Sequence, residues 1–285
     1  MSGAGPGSGG FVQMPSGTFT VDPASSVPIP GQADMSGLRR GYTYDPVDGR
    51  WLPVPRDWVM PDFSSYVYVG TEYPHVSNQP ALHVVNVSTG TDRLWPNGDQ
   101  LYGYPISVRP EGVYGAPGPE IITRVDPQGV TTAVDQGHYG LFSVITPTAI
   151  WATRSTDPGA LSDVQRIDPG TQLATNWFVA SGRTALPIGV DGLGNPIVAV
   201  GALQSSGRMA ASQIWIVPRP STSRVPAGTL LYSDAAHALT IIGWPVVSAG
   251  AIWIETDQGL WVAQGFNLQM ALVSSFSGYI AGGCL

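Results

Sequence analysis

The chain contains no lysine; its 13 basic residues are all arginine. That absence excludes Schiff-base chemistry and lysine-based phosphate loops. With 20 acidic residues the formal net charge is −7, and no arginine-rich run exists to track phosphates. Nucleic acid is therefore excluded as a partner. One cysteine, Cys284, rules out an intrachain disulfide and a cysteine-based zinc site. It ends the apolar run Tyr279-Ile280-Ala281 and reads as a packed strand residue. No stretch approaches the roughly 18 apolar residues of a membrane-spanning helix. The Gly/Ser/Pro-rich head after Met1 lacks both the basic and the apolar region of a signal peptide. Residues 1–10 read instead as a flexible tether, of the kind found behind an export signal or a lipidated cysteine. An extracellular or cell-envelope location follows from that reading.

What is present is β-like. The 36 glycines and 26 prolines are spread along the chain, as many turns between short strands require. The 43% apolar content supplies a sizeable core. No helical period is evident, and residues 11–285 read as a single all-β domain.

The organising signal is a spaced echo. Asp45-Pro46, Asn86-Val87, Asp126-Pro127 and Asp168-Pro169 each close a β-like run and open a turn, at separations of 41, 40 and 42 residues. In a chain without helices, a supersecondary unit recurring at that period predicts a β-propeller. Aspartate in such a turn bonds its own backbone, and proline presets the following φ.

The unit reads as four strands. Inner strands align at Tyr104–Val108, Leu141–Val144, Pro187–Val190 and Ile241–Trp244, each with a small residue in the middle: Ser107, Ser143, Gly189 and Gly243. Crowding around a central channel gives those small residues a steric reason. Second strands begin at Tyr66, Val113, Ile150, Ile197 and Ile252; third strands begin at Leu82, Ile121, Val164, Ile214 and Leu260. The stretched spacing of the later repeats is assigned to loops at Gly201–Ser212 and Tyr232–Ala238. Five blades fit between Trp58 and Ser275. The orphan strands at Tyr42–Val54 and Tyr279–Cys284 would share a sixth, so the expectation is a six-bladed propeller of four-stranded blades, its ring closed by N- and C-terminal strands. A seventh blade is compatible with the spacing. Phe11–Ile29 would add a strand or an outer strap.

The repeat resembles the broad propeller superfamily that includes WD-repeat-like, NHL-like and streptogramin-lyase-like proteins. The residues carrying the resemblance are Arg166-Ile167-Asp168-Pro169, Arg124-Val125-Asp126-Pro127 and Gly250-Ala251-Ile252-Trp253. It covers most of the chain and implies the fold; it transfers no catalytic residue.

Candidate chemistry falls where the repeats differ. His138 and His237 both precede an inner strand, with Asp135 and Asp234 three residues earlier, so the four could line one channel mouth. His75 lies in the loop after a second strand. These five are the candidate binding residues. His138, His237 and Glu255 are the candidates for catalysis, which would need a base within reach of the substrate proton. His83 sits inside a third strand and reads as structural. Trp51, Trp58, Trp95, Tyr102 and Tyr114 could stack on sugars or peptides, but inter-blade packing is the commoner use of aromatic residues. No cofactor is expected. The leading reading is a non-catalytic binding or scaffold propeller that engages a protein or glycan through its loop face. The alternatives are a metal-assisted lyase of the streptogramin-lyase type, using His138, His237 and a nearby acid with a divalent ion, and a structural surface-layer or filament subunit.

Overall fold

Short runs of β-branched and aromatic residues, punctuated by Gly, Pro and Asp, fold as antiparallel hairpins and meanders. The computed structural model describes residues 9–14, 16–26, 43–70, 81–101, 105–118, 120–137, 139–157, 160–180, 182–220, 228–248, 250–265, 268–275 and 280. Strands β1 (Gly10–Gln13) and β2 (Thr18–Val21) form one hairpin, and β3 (Thr43–Asp45) and β4 (Arg50–Leu52) another. Five larger sheets follow in chain order. The first is β5 (Ser65–Gly70), β6 (Ala81–Asn86) and β7 (Asp92–Leu94). The second is β8 (Pro105–Arg109), β9 (Gly112–Gly118), β10 (Ile121–Val125) and β11 (Thr131–Gln136). The third is β12 (Tyr139–Ile145), β13 (Ile150–Asp157), β14 (Ala160–Ile167) and β15 (Ala174–Val179). The fourth is β16 (Thr184–Val190), β17 (Pro196–Leu203), β18 (Met209–Ile216) and β19 (Thr229–Ser233), with β20 (Leu239–Thr240) also on β18. The fifth is β21 (Val246–Ser248), β22 (Ala251–Thr256), β23 (Gly259–Ala263) and β24 (Met270–Ser274). Each sheet runs up and down with sequential neighbours paired, which is the blade of a β-propeller.

The chain divides into two compact units, Met1–Phe11 with Thr20–Gln136, and Val12–Phe19 with Gly137–Leu285. The first holds the first two blades around a core that includes Tyr66, Leu82, Trp95 and Leu101. The second holds the other three, with cores around Leu186, Ile197, Ile214 and Ile254 and around Val164, Phe178 and Val198.

The expected six blades are corrected to five. Among the described residues β3 and β4 pair only with each other. Of the segment expected to complete their blade, Tyr279–Cys284, only Ile280 is described, and it lies in no strand. Cys284 and Tyr102 lie outside the described residues. The β1–β2 hairpin likewise joins no blade sheet, although Ser274 Oγ donates to the Gly17 carbonyl at 2.7 Å. Two further expectations change. Gly201–Ser212 is not a loop but the extended ends of β17 and β18, closed by a turn in which Gly207 N donates to the Gln204 carbonyl. In the fifth blade the inner strand is Val246–Ser248, while Ile241 makes an isolated bridge to Thr256. Pro245, which has no N–H to donate, separates the two pieces.

The echoed Asp and Asn residues do what their chemistry suggests. Asp45 Oδ1 accepts the backbone N–H groups of Val47 and Asp48, and Asn86 Oδ1 accepts that of Thr89. Asp126 Oδ1 accepts those of Gln128 and Val130, and Asp168 Oδ1 those of Gly170 and Thr171. Because Asn86 fills the same role, Asp126→Asn is expected to be nearly neutral. Asp126→Ala should cost about 1 kcal/mol, the size of a lost side-chain cap, as measured by urea unfolding. Equal losses for the two variants would rule out hydrogen bonding as the reason for the echo.

Two regular bulges accompany the turns. Between third and fourth strands the register slips by one residue in four blades, leaving Val134, Trp177, Leu231 and Val273 unpaired. A bulge bends and twists an outer strand and so blunts its exposed edge. In the inner strands the register slips at Ile106 and at Ile188, immediately before Ser107 and Gly189. Ser143 lies in the corresponding shifted stretch of β12, whereas Gly243 lies between the Ile241 bridge and β21, in no strand. The recurring small residue therefore marks a register shift in the inner strands of the second, third and fourth blades.

Tryptophan ties neighbouring blades. Trp95, just after β7, donates its indole N–H to the Asp126 carbonyl at 3.0 Å. Trp177 in β15 repeats this bond one blade pair later, to the Val217 carbonyl at 2.7 Å. In both cases an indole in or just after a blade's last strand reaches the end of the next blade's third strand. Trp58 donates to the Pro105 carbonyl at 2.7 Å.

Candidate functional site

His75 and His138 lie outside the described residues. The other candidates occupy unlike environments. Asp234 and His237 share the turn between β19 and β20. Asp234 Oδ1 accepts the N–H groups of Ala236 and His237, and its Oδ2 lies 3.0 Å from His237 Nδ1. Tyr232 donates its hydroxyl to the His237 carbonyl. The hydrogen bonds from the His237 ring and from these amides hold the Asp234 carboxyl below its ordinary pKa. The His237 side chain is 75% exposed. The pair thus closes on itself as an Asx turn in solvent, and it presents only one further ring nitrogen.

Asp135 is not its equivalent. It lies within β11 opposite Ile122 and is only 6% exposed. Glu255 is 2% exposed, inside β22 and opposite Leu260. Among the described residues, no group of three His, Cys, Asp or Glu side chains is placed to hold a metal ion.

The first blade carries more chemistry than the sequence indicated, on both faces of its sheet. Strand pairing puts His83 opposite Tyr68 and Asp92 opposite Val85, so all three side chains share one face. The Tyr68 and His83 rings stack at 4.6 Å between centroids. Asp92 accepts the Tyr68 hydroxyl at 2.5 Å and faces His83 Nδ1 at 3.1 Å. Burial, reinforced by Asp92, pushes the Tyr68 phenol pKa up, so the hydroxyl keeps its proton and donates. The sequence identified His83 as a strand residue, but its partners depend on register across two strand pairs, which spacing does not reveal.

The opposite face opens into a pocket of about 440 Å³, lined by Ser64, Ser65, Val84, Asn86, Thr89, Thr91 and Arg93. Val84 supplies a buried apolar floor. Asn86 Oδ1 organises the rim, accepting hydrogen bonds from the hydroxyls of Ser88 and Thr89. Thr89 and Thr91 hydroxyls lie 2.9 Å apart. Arg93 stands opposite Val84 on β7, exposed, and has no hydrogen-bond or ion-pair partner among the described residues. A second charged cluster surrounds the Arg56–Trp58 turn. Burial raises the Asp57 carboxyl pKa while Arg109 and Arg56 oppose it. Arg56 reaches the Val59 carbonyl at 3.2 Å and sits over the Phe63 ring, which makes it part of the scaffold.

No family model matches the chain, and no curated protein matches its sequence. Among solved structures, it is similar to the virginiamycin B lyase of Staphylococcus aureus, at 14% identity over 79% of this chain and 74% of that one, with a TM-score of 0.45. It is also similar to TolB of Acinetobacter baumannii, at 13% identity over 74% of this chain, with a TM-score of 0.41. The match spans about half of TolB, 52% of its length.

Proposed function

We propose that the chain is a non-catalytic binding propeller that engages a glycan through the pocket on its first blade. The observation that supports this reading is the pocket's lining. Among the described residues it offers hydroxyls, an amide and one guanidinium above an apolar floor, and no carboxylate or imidazole. Convergent hydrogen-bonding groups over an apolar surface suit recognition of a polyhydroxylated ligand. Acid–base turnover needs a group that can exchange a proton near neutral pH, and none of the described residues lining this pocket is one. An extracellular or envelope setting, where polymeric glycans are encountered, belongs with this reading.

Isothermal calorimetry against a panel of neutral and charged oligosaccharides tests the proposal, with NMR spectra of the ligand recorded before and after a day's incubation. Saturable binding with an unchanged ligand is expected. Cleavage or elimination products, or heats absent across the panel, would contradict it.

A further inference from the structure

Arg93 points to the class of saccharide. Among the described residues it is the one ionisable side chain lining the pocket, in a chain whose net charge is −7. Strand alternation turns its chain neighbour Asp92 to the other face of the sheet, where Tyr68 and His83 occupy the carboxylate. Among the described residues the guanidinium is thus left without a partner, in a pocket that the hydroxyl-bearing Ser65 and Thr91 also line. An arginine fork with flanking hydroxyl donors matches a planar or tetrahedral oxyanion, and it binds such groups in bidentate fashion.

We propose that this pocket takes an oxyanion-bearing saccharide, with Arg93 as counter-ion to its carboxylate or sulfate and with the hydroxyls and Asn86 bonding the sugar. This inference rests on the glycan-binding reading above. The deletion most damaging to binding is therefore the guanidinium, whereas loss of any single hydroxyl leaves other donors in place.

The test is calorimetry at low salt with a galacturonate trimer, a 6-sulfated galactose trimer, a neutral galactose trimer and inorganic phosphate. The wild type is expected to bind at least one charged trimer about 10-fold or more tighter than the neutral one, and phosphate alone more weakly than that trimer. Preference for the uronate or for the sulfate identifies which oxyanion is recognised. Arg93→Gln should bring the charged trimer to the neutral trimer's affinity, and Arg93→Lys should keep only part of the preference. Arg93 is exposed and has no partner among the described residues, so unchanged circular dichroism and melting temperature are expected for both variants. Equal affinity for charged and neutral trimers, or a preference that survives Arg93→Gln, would overturn the oxyanion inference while leaving glycan binding intact. Phosphate binding as tightly as the charged trimer would overturn the saccharide part. No binding of any trimer would overturn both.

Discussion

Trp95→Ala is expected to destabilise the protein by about 4 kcal/mol, within the range for emptying a buried aromatic site. Trp95 is only 6% exposed and belongs to the core that includes Leu82 and Leu101. Truncation to alanine leaves a cavity that the paired strands β6 and β7 cannot collapse to fill, because their backbones are held in register. It also removes the indole donor from the Asp126 carbonyl. Trp95→Phe separates the two effects. It keeps most of the packing and loses the bond, for a cost of about 1 kcal/mol. Equilibrium urea unfolding of both variants gives the comparison. A loss below about 1.5 kcal/mol for Trp95→Ala would show that this indole does not hold the blades together.

Gly201→Ala should cost about 3 kcal/mol, the upper part of the range for overpacking. The position lies within β17, where glycine is ordinarily a liability. Opposite it, β18 carries a bulge: Val200 pairs with Gln213 and Gly201 with Ala211, leaving Ser212 extra. The bulge brings the Ala210 carbonyl to 1.9 Å from where a Cβ on Gly201 would sit. The obstacle is backbone, so relief requires shifting a paired strand. Gly207, whose added Cβ would meet nothing within 4 Å, is not an equivalent control because its φ of +77° is itself left-handed; Ala202→Ser, exposed and next in the strand, serves instead and should be close to neutral. A Gly201→Ala variant as stable as wild type would mean that the bulge is not fixed in solution.

Much of the fold was legible because the residues that build it have distinctive chemistry. An Asx turn needs Asp or Asn at one position, so Asp45, Asn86, Asp126 and Asp168 show the period directly. The outer-strand bulges recur as regularly, yet they stayed hidden. A bulge requires one extra residue, not a particular one, and Val134, Trp177, Leu231 and Val273 share no signature. Blade number was overcounted for a related reason. Thr43–Asp45 and Arg50–Leu52 do form the expected hairpin, but alternation within a hairpin says nothing about what lies beside it. The candidate site was less legible still. Asp135 and Asp234 look equivalent by their distance to the next histidine, but one lies buried in a strand and the other caps an exposed turn. Arg93 reads as an ordinary solvated strand residue. Its isolation follows from Asp92 being turned to the opposite face, which depends on the pairing of β5, β6 and β7.

The most direct test of the division between repeated scaffold and binding pocket is amide NMR of the ¹⁵N-labelled protein titrated with the preferred charged trimer. Shifts should centre on Ser64, Ser65 and the Asn86–Arg93 stretch, and leave the Asp126 and Asp168 turns and the Asp234–His237 turn unmoved. Shifts centred on Asp234 and His237, or none on the first blade at saturating trimer, would contradict it.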